Sequence, residues 1–202
     1  MLIRSRTLLA CLVASSLLLV TVSAASANSL SVSSQRFKTV FTELEIVAEN
    51  GTVRCNLTLE GSFHSATIPK SQWTLIGHIT SASVGSCSEA DDVVVRLLTA
   101  FLPWHLSYES FINTLPSIVA MHVRLVGLAF SWSDWFSCLY ATSLGEPLRL
   151  TFNRQAGGEL NSVATDPAYD INGRGTFCAP ARLIGDGSVT TPGGSTVLLR
   201  LA

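Results

Sequence analysis

From Gly51 to Glu60 the chain alternates with period two. Val53, Cys55, Leu57 and Leu59 occupy one phase; Thr52, Arg54, Asn56, Thr58 and Glu60 occupy the other. Successive side chains of a strand point to opposite faces, so this pattern predicts a strand with one buried side. Asn50-Gly51, just before it, supplies two residues that tolerate positive φ, as a type I′ hairpin turn requires. The partner strand precedes that turn, with Glu43 and Glu45 on its polar side.

The same alternation recurs over residues 76–84, 106–111, 119–130, 136–142, 148–154 and 196–201. Turn residues separate these runs, among them Gly145-Glu146-Pro147, Gly157-Gly158, Asn172-Gly173, Asp186-Gly187 and Pro192-Gly193-Gly194. Residues 93–101 read as a further strand. A capping box at Ser88 to Asp91 competes for a helix there, but three consecutive valines are stiff at χ1 and suit a strand better. Short, regularly spaced strands of this kind predict an all-β fold. The expectation is an antiparallel β-sandwich of about nine to eleven strands, with a β-barrel as the alternative.

The span from Trp104 to His122 crowds chemistry-bearing residues together, and alternation sorts them. Val119, Met121, Val123 and Leu125 share one phase, while His122 and Arg124 take the other. Upstream, Leu106 and Tyr108 alternate with His105, Ser107 and Glu109, and Pro103 limits the start of that strand to an edge or a bend. Trp104 and Tyr108 therefore read as packing residues. His105, Glu109 and His122 read as solvent-facing, and replacing each by Ala is expected to cost under about 0.5 kcal/mol.

Composition then sets the compartment. Residues 1–27 carry Arg4 and Arg6, an apolar run of about 15 residues and a closing Ala25-Ser26-Ala27, the pattern of a secretory signal peptide cut after Ala27. That run falls short of the ~20 residues a spanning helix needs. A lipoprotein reading at Cys11 would strand most of the apolar run on the mature chain and is rejected. Residues 28–202 form a single expected domain. With 13 basic and 14 acidic residues overall, losing the two leader arginines leaves it weakly acidic, without the basic face that nucleic-acid binding requires. Cys55, Cys87, Cys138 and Cys178 remain, an even count that in an exported chain reads as two disulfides. Three pairings are open, and Cys55–Cys87 with Cys138–Cys178 is the favoured set.

The segments "VRCNLTLEGSFHSATIPK", "LIGHITSASVGSC" and "LPWHLSYESFINTLPSI" resemble a family of secreted all-β proteins of actinobacteria. The resemblance covers roughly residues 52–130 and loosely the remainder, and its motifs belong to the framework. The family pattern has Gly where this chain has Asn113; Asn is the next most tolerant of positive φ. The resemblance implies export and an all-β domain and assigns no catalytic residue, because the family has no established function.

Candidate chemistry is sparse. His64, His78, His105 and His122 are separated by 14 or more residues, with no local metal motif, although strand histidines can meet across a sheet. No G-x-S-x-G occurs, and in "GSFHS" His64 and Ser65 are adjacent, so alternation along a strand turns their side chains to opposite faces and no triad is implied. Aligning Asp170 as the first position of a calcium loop places Arg174 at a ligand position and Ala181 where the closing Glu belongs, so "DPAYDINGRG" reads as a polar loop. No cofactor or metal is expected. The aromatic cluster Trp132, Trp135 and Phe136 is the candidate ligand-binding patch, because aromatic rings stack on sugars and anchor protein partners. The functional expectation is an exported, non-enzymatic binding or envelope-associated module, with a glycan or protein at the cell surface as partner. The alternative is a secreted hydrolase or glycan-processing enzyme with a site assembled from distant loops.

Overall fold

The computed structural model describes residues 29–49, 51–88, 93–112 and 118–202. The leader, Asn50 of the hairpin turn, residues 89–91 of the competing capping box and the Asn113 turn lie outside the described residues. The strands run β1 Ser29–Val32, β2 Arg36–Ala48, β3 Gly51–Phe63, β4 Thr67–Pro69, β5 Leu75–Ser88 and β6 Val94–Leu97. There follow β7 Trp104–Ile112, β8 Ala120–Val126, β9 Ala129–Ser133, β10 Ser137–Ala141, β11 Leu148–Arg154 and β12 Glu159–Thr165. The last are β13 Asp170–Ile171, β14 Gly173–Arg174, β15 Ala181–Ile184, β16 Asp186–Thr190 and β17 Val197–Leu201. A single 3₁₀ turn, Thr99–Phe101, completes the described residues, so only Val94–Leu97 of the strand predicted over 93–101 is a strand.

Eight antiparallel strands close into a barrel in the order β2-β3-β5-β7-β8-β11-β12-β16 and back to β2. The predicted sandwich is thus replaced by its alternative. Both architectures share one buried phase per strand; the difference is ring closure, which β16 makes by pairing with β12 on one side and β2 on the other. Asp186-Gly187, predicted as a turn, lies inside that closing strand. Gly187 is there for close approach: a Cβ would sit 2.9 Å from the Val40 carbonyl oxygen and 3.1 Å from the Phe41 ring.

Alternate residues of each barrel strand point inward, as eight strands leave an interior just wide enough for side chains to fill. Phe37 packs against Phe63 and Phe152, with ring centroids 4.9 and 6.0 Å apart. Farther along, Phe41, Leu44, Leu57, Leu125, Leu150 and Leu183 surround a gap of only ≈ 10 Å³. That gap is apolar and too small for an organic ligand.

Bulges decide which residues face inward. On β2 the register slips between Phe41 and Leu44, so Phe37, Thr39 and Phe41 are buried before it and Leu44 and Ile46 after it. On β7 a slip between Tyr108 and Ser110 leaves Glu109 as the extra outward residue. An extra residue flips the phase of everything beyond it. Val119 departs from its predicted phase: it lies before β8 and is half exposed, whereas Ala120 and Met121 are both buried.

The run predicted as one strand over 119–130 is two. Gly127 adopts φ +93°, open to glycine and costly for other residues, and the chain leaves β8 of the barrel to begin β9 of a second sheet, ordered β14-β10-β9-β6. Val95, Leu97 and Phe130 of that sheet meet Leu44, Cys55, Leu57 and Leu183 around a gap of ≈ 20 Å³. Off the barrel's β12, the strands β17, β1 and β4 extend the first sheet and bury Leu30, Ile68, Val197 and Leu199. Both favoured disulfides are present, Cys55–Cys87 and Cys138–Cys178. Among the described residues no helix is long and apolar enough to cross a membrane.

Candidate functional site

On the outer wall, three of the four histidines form a row. His78 on β5 lies directly opposite His105 on β7, and His64, just past β3, reaches His78 from the other side. His64 Nε2 and His78 Nδ1 share a hydrogen bond of 2.7 Å; the His78 and His105 rings are 4.9 Å apart, edge to face. Two strand glycines permit this approach. A Cβ at Gly61 would lie 2.4 Å from the His78 carbonyl oxygen, and one at Gly77 would lie 2.5 Å from that of Ser62. Local spacing gave no sign of the row, because its members converge only once β3, β5 and β7 are adjacent. Two of the nitrogens are engaged with each other, and no group of three His, Cys, Asp or Glu side chains among the described residues is arranged to hold a metal ion.

Across β7, β8 and β11 lies a second polar group. The bulge turns Glu109 over β8 toward Arg149, which donates from Nε and Nη2 to its two carboxylate oxygens, both at 2.7 Å. Arg149 also donates to Asp166 at 3.3 Å and stacks on the Tyr169 ring at 4.7 Å. Only 9% of the Glu109 side chain is exposed. His122 Nδ1 bonds the Thr151 hydroxyl at 2.9 Å and is half-buried. The solvent-face expectation thus fits exposed His105, but Glu109 and His122 are partnered. Alternation correctly put them outside the barrel; it could not show that a two-strand-distant arginine would cover one and a cross-strand threonine would hold the other.

Burial holds His122 below the ordinary imidazole value, aided by the Arg149 charge and opposed by Glu109 and Asp166. Burial also lowers His78, as do the neighbouring charges of His64 and His105. A histidine that is harder to protonate when folded makes the unfolded chain bind more protons, so stability is full above the unfolded value of 6.5 and falls as pH drops through and below it. The urea midpoint is therefore expected to fall between pH 7.5 and 5.5, and His78→Gln/His122→Gln to fall less steeply over that range. An unchanged slope in the double variant would remove these two groups as the cause.

The aromatic patch divides. Trp132 is buried, and its Nε1 donates to Asp134 Oδ2 at 3.2 Å; Asp134 Oδ1 in turn accepts from the Phe136 N–H at 3.0 Å. These bonds stabilise the Asp134 carboxylate and lower its pKa. Between them Trp135 is 94% exposed at the tip of the β9–β10 hairpin. Phe136 is half-buried and faces Phe177, itself 81% exposed, across an open depression of ≈ 460 Å³ that Glu49 and Cys178 also line. The Cys138–Cys178 bridge ties the two sides of this corner together. Trp132 is thus a packing residue, and Phe177 joins the candidate patch; the sequence offered no periodic signal for Phe177, which lies in a loop.

A smaller cleft of ≈ 240 Å³ runs between the barrel and the second sheet. Phe101, Pro103, Ala129, Leu139 and Ala141 supply apolar walls, and His105 and Arg174 supply the nitrogen-bearing side chains. Asp170, first residue of the rejected calcium loop, is paired with Arg182 at 3.3 Å. No family model matches the chain, and no curated protein or solved structure matches it.

Proposed function

We propose that the protein is an exported, non-enzymatic β-barrel module that binds a glycan or protein at the cell surface through the corner formed by Trp135, Phe136 and Phe177. The observation carrying this reading is the almost complete exposure of Trp135 on a turn fastened from beneath by Trp132 and Asp134. Leaving a large aromatic ring in water forgoes its burial, and an ordered turn reduces the entropy lost when a partner covers that ring. Dispersal of the candidate catalytic groups also supports binding over hydrolysis. His105 lines the cleft between the barrel and the second sheet, whereas Glu109 is engaged by Arg149 on the outer wall and Asp134 caps a turn.

Replacing Trp135 or Phe177 by Ala should lower affinity for purified envelope polysaccharide or envelope protein by about tenfold or more, as for a central aromatic anchor. Thermal stability should change little, because both rings are exposed. Unaltered binding to both preparations in the double variant would overturn the assignment.

Export rests on the leader pattern and is supported by the two disulfides. Intact mass of the secreted protein is expected to match a chain that begins at Asn28 and lacks four hydrogens. Four alkylatable thiols under native oxidising conditions would overturn that compartment.

A further inference from the structure

We propose that the cleft between the barrel and the second sheet binds a small amphipathic carboxylate, with the apolar tail between the two sheets and the carboxylate against Arg174. The argument begins with how the cleft is built. Gly127 ends β8 and sends the chain into the second sheet, so the two sheets diverge there and leave a space between them. The 3₁₀ turn and Pro103 close one side with Phe101, a residue 58% exposed although it stands at an apolar wall. Ala129 and Ala141 are small residues paired on adjacent strands of the far wall, and Leu139 continues it.

Charge selects the class of ligand. The lining holds Arg174 and His105 and, among the described residues, no acidic side chain. Nor does Arg174 have an ion-pair or side-chain hydrogen-bond partner among the described residues, unlike Arg149 and Arg182. A guanidinium offers a fork of donors that matches a carboxylate in two parallel bonds. Thr142, at the cleft, donates its hydroxyl hydrogen to the Leu128 carbonyl oxygen at 3.4 Å. The depression at Phe136 and Phe177 differs on this point: it is wider, and Glu49 stands in its lining. A ligand with an anionic end and an unbranched or aromatic apolar body is complementary to the narrower cleft and is repelled by the wider one.

The proposal uses residues separate from the exposed aromatic corner, so its failure leaves that reading standing. Titration calorimetry of the intact mature protein with n-alkyl carboxylates from butanoate to octanoate tests it, with octylammonium and phosphatidylglycerol vesicles as comparisons. Expected is saturable one-to-one binding of octanoate. Affinity should rise about fourfold per added methylene, the usual gain for burying one. Arg174→Gln, an exposed substitution that leaves the fold intact, should weaken octanoate binding about tenfold or more, the size of a lost charge-assisted pair. Ala141→Leu, which fills the cleft, should abolish it, with circular dichroism establishing that the variant is folded.

Absence of saturable binding by octanoate overturns the proposal. So does affinity independent of chain length, which would reduce the site to a surface charge, or equal affinity for octylammonium. Binding to the vesicles without binding to soluble octanoate would assign the cation to a lipid surface and overturn the small-ligand site. Undiminished octanoate binding in Arg174→Gln would remove the anchor on which the assignment depends.

Discussion

Replacing Leu125 by Ala is expected to cost about 2–5 kcal/mol, toward the upper part of that range. Leu125 is fully buried on β8, and its strand is hydrogen-bonded on both sides, to β7 and to β11. A wall held on two sides cannot collapse readily into the space left by the side chain. The adjoining ≈ 10 Å³ gap would instead grow into a cavity lined by the remaining leucines. The neighbouring phase should respond differently. His122→Ala removes one hydrogen bond to Thr151 and should cost about 0.5–1.5 kcal/mol, more than a free surface residue and less than the leucine. Val119→Ala, at a half-exposed position, should stay within about 0.5 kcal/mol. Urea titrations with a common slope provide the comparison. If His122→Ala proves as damaging as Leu125→Ala, His122 is an essential part of the fold and the outward-facing account of this strand fails.

Loss of either disulfide is the second large effect. The bridges close segments separated by 32 and 40 residues, for which restriction of the unfolded chain corresponds to roughly 4 kcal/mol each. The structural consequences should differ. Cys55 and Cys87 sit on β3 and β5, which already pair along a long ladder, so Cys55→Ala/Cys87→Ala should lower stability while leaving the barrel's pattern of amide protection unchanged. Cys178 lies in the loop after β14, a strand of two residues, and its bridge to β10 holds the Phe177 side of the aromatic corner. Cys138→Ala/Cys178→Ala should therefore also raise hydrogen exchange over residues 175–180 and weaken any partner that needs Phe177. Protection at 175–180 equal to that of the intact protein would show that the loop is held by other contacts.

Glu109 and Arg149 show why a count of motifs could not settle the site. Each is unremarkable in its own strand. The bulge at Glu109 and the order β7-β8-β11 bring them into a two-bond ion pair that leaves the carboxylate little exposed. With Arg149 27% exposed, solvent screening limits what the pair adds to stability, so its main effect is to fix both side chains in place.

Local sequence determined the element type and the buried phase of most strands, and it favoured the disulfide set that the structure holds. Period-two alternation is a property of neighbouring residues, so Val53, Cys55, Leu57 and Leu59 were legible as one buried face before any partner strand was known. The even cysteine count implied two bridges and left three pairings open, among which the fold decided. Tertiary structure decided ring closure, because a sandwich and a barrel bury the same alternate residues and differ only in whether β16 finds β2. It also decided where phase breaks. The extra residues near Glu43 and at Glu109, and the turn at Gly127, become visible only when one strand is laid against another. The histidine row and the cleft of Arg174 follow from those same pairings. Their members come from separate strands and turns, and only the geometry of adjacent strands brings them within reach of one another or of a shared ligand.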